Sequence, residues 1–156
     1  MMFSTKAEYG VRVMAHLARQ ADGRSSGADG AEQPISLGSI ADAEGLPLAY
    51  LEHLVQRLRK ADLVASRRGA HGGYTLARPA DDITMAEVVA ALEGEIAPIE
   101  CITADADGVL TCSREAGAAP CPTKLLWTRV QGSIVRTLND MTLDDLVHDK
   151  RKPVAA

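Results

Sequence analysis

The segment from Ser36 to Ala61 constrains the fold of this chain most strongly, because it encodes two short helices separated by a tight turn. Ser36 is a helix-capping residue, and the helix that it begins is expected to end at Gly45, where glycine can adopt a left-handed conformation. Pro47 suits the first turn of a second helix, which runs to about Ala61. The pattern therefore predicts a helix-turn-helix motif.

The second helix of this motif is apolar on one face. Its apolar stripe repeats at spacings of three and four residues and comprises Leu51, Leu54, Val55, Leu58 and Ala61. The other faces carry Ala49, Glu52, His53, Gln56, Arg59 and Lys60. We expect the stripe to lie in a core and the other faces to remain open to solvent or to a partner.

A basic, glycine-rich segment follows the two helices. Residues 63–67 and 74–77 are predicted to be short strands, and the intervening glycines allow a tight turn. The window 53–78 contains six Lys or Arg residues and one acid, Asp62, in a chain whose formal net charge is −4. A basic hairpin after a helix-turn-helix is typical of a wing, and a basic face on an acidic body is typical of proteins that bind DNA.

The motif predicts which residues contact double-stranded DNA. The start of the second helix should face base edges in the major groove, where Glu52 can accept a hydrogen bond from cytosine, and the wing should contact the backbone. The predicted DNA contacts are Ala49, Tyr50, Glu52, His53, Arg59, Ser66, Arg68, Gly69 and Gly72, and Arg67 is also well placed for phosphate. Two alternatives stay open: Tyr50 as a packed core ring and Arg59 as a solvated charge.

Helices are also predicted on both sides of this motif. The periodicity from Thr5 to about Ala21 indicates a first helix that stops at Asp22-Gly23, and the Gly/Ser/Asp-rich segment 22–34 is expected to be a surface loop. Thr84 begins a capping-box sequence that starts a helix to Leu92, with an end at Gly94.

The C-terminal third is predicted to combine an irregular segment with a long helix. Residues 95–120 show no sustained periodicity, so we expect a long irregular loop, a feature that is usually functional. Pro122 is placed in the first turn of a helix to about Asn139. Its apolar stripe, which needs a partner, comprises Leu126, Val130, Ile134 and Leu138. Thr142 and Asp145 are expected to cap one last short helix.

Three cysteines lie in or just beyond the irregular segment, at Cys101, Cys112 and Cys121. An odd number of widely spaced cysteines does not form a disulfide framework, and the spacing does not match the paired cysteines of zinc sites. Cys121 is expected at the start of a helix, where the helix dipole lowers a thiol pKa and favours the thiolate. Metal ligands, redox-active thiols and inert residues all remain open on spacing alone.

Residues 48–64 and 68–74 resemble the recognition helix and wing of the IscR/NsrR/CymR family of bacterial winged-helix transcriptional regulators. The resemblance extends over nearly the whole chain and includes residues 3–10, 83–89 and 141–146. It implies a mainly α fold with a small β-hairpin wing (α+β), and a long C-terminal helix that crosses its counterpart in a homodimer.

The resemblance also implies an iron–sulfur cluster, 2Fe–2S rather than 4Fe–4S, with Cys101, Cys112 and Cys121 as its ligands. IscR-type members have a histidine ligand three residues after the last cysteine, where this chain has Lys124, whose ammonium carries no lone pair. Some members use an acidic residue from the partner subunit's first helix, and Glu8 occupies the corresponding position. A solvent-facing role for Glu8 is the alternative, with water, another residue or an external thiol as the fourth ligand.

The sequence thus divides into a DNA-binding domain (1–94), a cysteine-bearing loop (95–121), a dimerisation helix with a short terminal helix (122–148) and a tail (149–156). No sufficiently long apolar stretch and no secretory pattern is visible, so we expect a cytoplasmic protein without membrane contact. Its four histidines form no acid/base constellation, so we expect that the protein is not an enzyme and has no small-molecule substrate. The alternative function is a cluster-free regulator that senses through thiol oxidation or a partner protein.

Overall fold

A computed structural model describes residues 3–24, 33–69, 71–97, 99, 101–104, 109–113 and 121–148. Within these residues the chain forms six α-helices and two antiparallel hairpins. The helices are α1 (Thr5–Arg24), α2 (Leu37–Glu44), α3 (Leu48–Lys60), α4 (Met85–Glu93), α5 (Lys124–Asn139) and α6 (Leu143–Val147). The strands are β1 (Val64–Arg67), β2 (Gly73–Leu76), β3 (Ile102–Ala104) and β4 (Leu110–Cys112), and a short 3₁₀ turn spans Ala80–Asp82. The predicted loop 22–34 lies largely outside the described residues, as does the tail 149–156.

The main core lies between α1 and the helix-turn-helix formed by α2 and α3. Met14 of α1 and Ile40 of α2 are fully buried, as are Leu51 and Leu58 of α3. The predicted stripe of α3 is therefore buried, with one correction: Ala61 is exposed. Ala61 follows the last residue of α3, where the chain leaves the helix and the core contact is lost.

Local capping chemistry defines most helix ends as predicted. The Ser36 side chain accepts a hydrogen bond from the Ser39 N–H at 3.1 Å, and Gly45 ends α2 with a left-handed φ of 65°. Thr84 begins α4 with a reciprocal capping box. The predicted stop of the first helix at Asp22 is wrong, because α1 continues to Arg24. Asp22 pairs with His148 at 3.3 Å, and this contact holds the last turn of α1 against the end of α6.

The wing is a two-stranded hairpin extended by a third segment. Val64 pairs with Leu76 and Arg67 with Gly73, so the predicted strands are confirmed to within one residue. Ile35, just before α2, exchanges both backbone hydrogen bonds with Tyr74, at 3.0 and 2.8 Å. The wing is therefore joined by its backbone to the entrance of the helix-turn-helix.

The C-terminal third differs from the prediction in two respects. Residues 95–120 are not wholly irregular, because β3 and β4 pair with Ile102 opposite Cys112. Ile102 is fully buried and β3 contacts α5, so tertiary packing supports strands too short to show periodicity. Pro122 precedes the long helix, which begins at Lys124 after a turn closed by the Lys124 N–H on the Cys121 carbonyl at 3.2 Å. Among the described residues, no helix is long and apolar enough to cross a membrane.

Candidate functional site

The exposed side of α3 presents most of the residues predicted to contact base edges. Ala49, Glu52 and His53 are exposed, whereas the ring of Tyr50 is half-buried. Tyr50 packs edge-on against Tyr9 of α1, with ring centroids 5.7 Å apart and an interplanar angle of 89°. Tyr50 is thus a packed ring that connects the start of α3 to α1, as the alternative allowed.

Leu48, the first residue of α3, was missed by the sequence analysis. It is large and apolar, yet 45% of its surface is exposed. The sequence does contain a signal for it: Leu48 lies outside the apolar stripe of α3, directly before Ala49 and four residues before Glu52.

Two predicted DNA contacts lie against each other. The guanidinium of Arg59 donates a hydrogen bond to the Ser66 hydroxyl at 3.3 Å. This contact connects the recognition helix α3 to strand β1 of the wing. Both side chains are exposed, so Arg59 retains further donors for an anionic partner.

The wing tip presents Arg68 on a turn that requires glycine. Gly69 has a φ of 117°, and its carbonyl accepts a hydrogen bond from the Gly72 N–H at 2.9 Å. A Cβ at Gly72 would lie 2.3 Å from the Arg67 carbonyl oxygen. The tight turn therefore keeps the exposed Arg68 at the end of the hairpin.

The second hairpin carries two of the three cysteines. Cys112 is the last residue of β4 and is buried, while Cys101 lies in the turn before β3 and is partly exposed. The Cys101 carbonyl accepts a hydrogen bond from the Ser113 N–H at 2.9 Å. This bond thus places the backbone of Cys101 beside Ser113, the residue that follows Cys112.

Cys121, which was expected at the start of the long helix, lies three residues before α5, because the helix begins at Lys124. Its Sγ is 3.5 Å from the Thr123 hydroxyl. Hydrogen bonds from Thr123 are the main cause of a lowered Cys121 thiol pKa, and the Cys112 thiol lowers it further. The predicted direction of the shift agrees with the structure, where the Thr123 hydroxyl is the largest cause and the backbone N–H groups of Thr123 and Lys124 also lower the pKa.

The three thiols are not gathered into a finished metal centre. Cys112 and Cys121 interact through their side chains. Among the described residues, however, no group of three or more His, Cys, Asp or Glu residues is arranged to hold a metal ion. Glu8 is exposed on α1, where its carboxylate accepts a hydrogen bond from Arg12 at 2.8 Å. Within one chain the Cys112 and Cys121 thiols therefore interact without a covalent bond, and Glu8 is paired with Arg12.

A helix-turn-helix followed by a basic wing defines the class of winged-helix DNA-binding regulators. Residues 3–149 match the Rrf2 family, which is described as an iron-dependent transcriptional regulator family. The chain belongs to the Rrf2 family.

Curated relatives cover nearly all of the chain. Protein rrf2 of Nitratidesulfovibrio vulgaris is 39% identical over 149 residues, which cover 96% of this chain and 89% of the relative. The HTH-type transcriptional regulator CymR of Bacillus subtilis is 37% identical and covers 94% and 89%, respectively. The HTH-type transcriptional regulator IscR of Vibrio atlanticus is 34% identical, and the match covers 96% of this chain and 76% of the relative.

Solved structures agree with this assignment. The structure of CymR, described as the global cysteine regulator of B. subtilis, has a TM-score of 0.69 and 34% identity, and covers 97% of this chain and 99% of its own. The structure of T. potens IscR has a TM-score of 0.71 and 35% identity, and the match covers 100% of this chain and 93% of that structure's chain. The predicted fold is confirmed, and the protein is a transcriptional regulator and not an enzyme.

Proposed function

We propose that this protein is a homodimeric, sequence-specific DNA-binding regulator in the cytoplasm, whose DNA affinity is controlled by an iron–sulfur cluster on Cys101, Cys112 and Cys121. The observation that carries the cluster assignment is the contact between Cys112 at the end of β4 and Cys121 before α5. The family's description as iron-dependent supports it. IscR and CymR relatives both match, so the cofactor itself must be tested directly.

The donor set suits such a cluster in its chemistry. Thiolates are the usual ligands of iron–sulfur clusters, and Cys121 already has a lowered pKa. When bound, the cluster would supply a redox-active centre that responds to oxidants and iron supply. Cys112 is held by β4, while Cys101 and Cys121 are held by backbone hydrogen bonds from Ser113 and Lys124, so all three ligands are anchored by their backbones.

The fourth ligand is assigned to the partner subunit's Glu8. Its exposure on α1 leaves the carboxylate accessible from outside the chain. Binding there would replace the hydrogen bond from Arg12. An oxygen ligand is harder than a fourth thiolate and is more easily exchanged, which suits a sensor better than an electron carrier.

The DNA-binding half of the proposal rests on α3 and the wing. Glu52 is exposed on α3 outside the buried stripe, and Arg68 is exposed beside the turn of the wing. A carboxylate can select cytosine in the major groove, whereas an arginine on phosphate contributes affinity without sequence preference. The exposed apolar start of α5 supports a homodimer, which would set the distance between two recognition helices.

The DNA assignment is tested with two single variants. Arg68→Ala should weaken binding to all duplexes and reduce the salt dependence of binding by about one unit of slope. Glu52→Ala should instead relax preference at one base position, by about 1 to 3 kcal/mol of discrimination. Equal binding by the wild type and Arg68→Ala would contradict the wing assignment.

The cluster assignment is tested by composition and colour. Anaerobically purified wild type should contain iron and acid-labile sulfide and absorb visible light, and Cys112→Ala should lose all three properties. If the cluster is confirmed in this way, Glu8→Ala should lose it more easily than wild type does. Wild type that takes up no iron and sulfide on anaerobic reconstitution would overturn the cluster and leave the DNA-binding assignment intact.

The same contact also favours a second candidate, regulation by thiol oxidation. The Cys121 thiolate can attack a peroxide to give a sulfenic acid and water, after which the Cys112 thiol displaces a second water to form a disulfide. Peroxide treatment of the metal-free protein should then remove two titratable thiols in wild type and in Cys101→Ser. Cys112→Ser should form no such disulfide, and retention of all thiols in wild type would exclude this candidate.

A further inference from the structure

An exposed apolar tip lies at the start of the recognition helix. Pro47, Leu48 and Ala49 are all exposed, although they directly follow Leu46, which packs against the main core. Leu48 is 45% exposed and belongs neither to the core cluster nor to the partly buried apolar residues described as packed on it. A leucine in this position contributes little to the folding of the chain and is available for a partner.

The helix places this leucine beside the carboxylate predicted to select a base. Leu48 and Glu52 are separated by four residues, so their side chains lie one above the other on the same side of α3. Side chains in a helix tilt toward its N-terminus, so Leu48 extends beyond the first turn, ahead of Glu52. Both are exposed, which makes a mixed apolar and acidic surface at the tip of α3.

The surrounding charge identifies the kind of partner. Arg59 lies on the same side of α3 and is joined to the wing through Ser66, and Arg68 is exposed at the wing tip. An apolar tip framed by cations fits the major groove of a duplex, where phosphates flank the base edges. The thymine C5-methyl is the apolar group that base pairs present in that groove.

We infer that Leu48 is a specificity-determining residue that packs on the C5-methyl group of a thymine adjacent to the base pair contacted by Glu52. This inference rests on the proposed DNA-binding function and names a chemical group that the binding site must contain. The contact removes a methyl group and part of the leucine from water, and it rejects cytosine at that position, which has a hydrogen in place of the methyl group.

The test uses the full-length protein and duplexes selected by wild type from a random library. Each thymine of the selected site is replaced in turn by deoxyuridine, which removes the methyl group and leaves base pairing unchanged. Wild type should bind about fourfold more weakly when one particular thymine in one half-site is replaced, the effect of losing one buried methyl group. In Leu48→Ala the same replacement should change affinity by much less, because its partner side chain is absent.

Two controls separate the possible failures. Met141→Ala truncates another exposed apolar side chain, outside α3, and should keep the full thymine-to-deoxyuridine effect. Arg68→Ala should weaken binding to every duplex while retaining the same methyl dependence. If wild type enriches no sequence from the random library, the proposed function fails. If Arg68→Ala behaves as expected and either no thymine position responds in wild type or Leu48→Ala responds as strongly as wild type, the role of Leu48 is overturned.

Discussion

The Thr123 hydroxyl has the largest effect on the pKa of the Cys121 thiol. Thr123 lies 3.5 Å from its Sγ and is the main cause of its lowered pKa. Thiolate forms as pH rises through the thiol pKa, so Cys121 should react at lower pH than an ordinary cysteine. Thr123→Val removes the hydroxyl and should move the pH profile of Cys121 alkylation in the metal-free protein to higher pH, as measured by mass spectrometry.

Thr128 provides the matched control for this prediction. Its hydroxyl donates to the Lys124 carbonyl at 2.9 Å within α5. Thr128→Val should therefore leave the Cys121 profile unchanged. An equal shift in both variants would mean that general loosening of α5, and not the hydroxyl of Thr123, controls the thiol.

Tyr50 shows which residue-level features could not be predicted. Its place at the start of α3 is evident from Pro47 and the apolar stripe, and that placement suggested a DNA contact. The direction of its ring is decided by Tyr9, which is distant in sequence and belongs to α1. The local sequence pattern therefore located the residue, while a tertiary contact fixed the direction of its ring.

At the level of elements, the junction between the wing and the helix-turn-helix depends on one glycine. A Cβ at Gly73 would lie 2.4 Å from the Ile35 carbonyl oxygen, and the φ of Gly73 is 156°. Because backbone atoms cannot move aside as a flexible side chain can, Gly73→Ala should break the pairing of Ile35 with Tyr74. We expect the free energy of unfolding in urea to fall by about 2 kcal/mol.

Gly38 in α2 is the control for Gly73. An added Cβ there would meet only the Ser36 Oγ at 3.9 Å. Since alanine restricts the unfolded chain and favours helix, Gly38→Ala should raise the free energy of unfolding by about 0.5 kcal/mol. A loss of stability in both variants would point to a general intolerance of substitution around α2.

The capping box of α4 predicts a pH dependence of stability. The Glu87 carboxylate accepts from the Thr84 backbone N–H at 2.9 Å and from Arg78 at 2.7 Å, and these bonds lower its pKa, the Thr84 backbone bond most. A lowered folded-state pKa stabilises the protein above the ordinary carboxyl pKa, and this stabilisation is lost as pH falls through the folded value. Glu87→Gln should cost about 0.5 kcal/mol at pH 7, because 42% of the side chain is exposed and water screens the charge.

Urea titrations at neutral and acidic pH check this prediction. The difference between wild type and Glu87→Gln should disappear below the folded pKa of Glu87, where both side chains are neutral. Asp82→Asn is a suitable control. The backbone carbonyl of Asp82 accepts a hydrogen bond from Arg78, and this substitution leaves that carbonyl in place. A difference that persists unchanged in acid would assign the effect to packing and not to charge.

The elements differ in how well sequence predicts them. The ends of α2 and α4 follow from Ser36, Gly45 and Thr84, because caps are contacts between residues close in sequence. The hairpin of β3 and β4 was not predicted, because strands of three residues carry too little periodicity. Its support is the burial of Ile102 beneath α5, which no local pattern reveals.

At the scale of the whole molecule, α5 connects the cysteine region to the DNA-binding region. It contacts both β3 and α4, and α4 in turn contacts α1 and α3. Cys121 lies three residues before α5, and its carbonyl accepts a hydrogen bond from the Lys124 N–H, so a change at the cysteines can alter the position of this helix. In a dimer built on α5, such a change would alter the distance between the two copies of α3.

The exposed apolar start of α5 predicts the dimer interface. Leu125 and Leu126 are 64% and 56% exposed in the single chain. Leu126→Glu should not disturb folding, but it would bury a charge at an apolar interface and should weaken the dimer about 100-fold, as measured by sedimentation. Specific DNA binding should fall with it, because one subunit contacts only one half-site. Met141→Glu, at an exposed apolar residue after α5, should stay dimeric, and an unchanged dimer in Leu126→Glu would place the interface elsewhere.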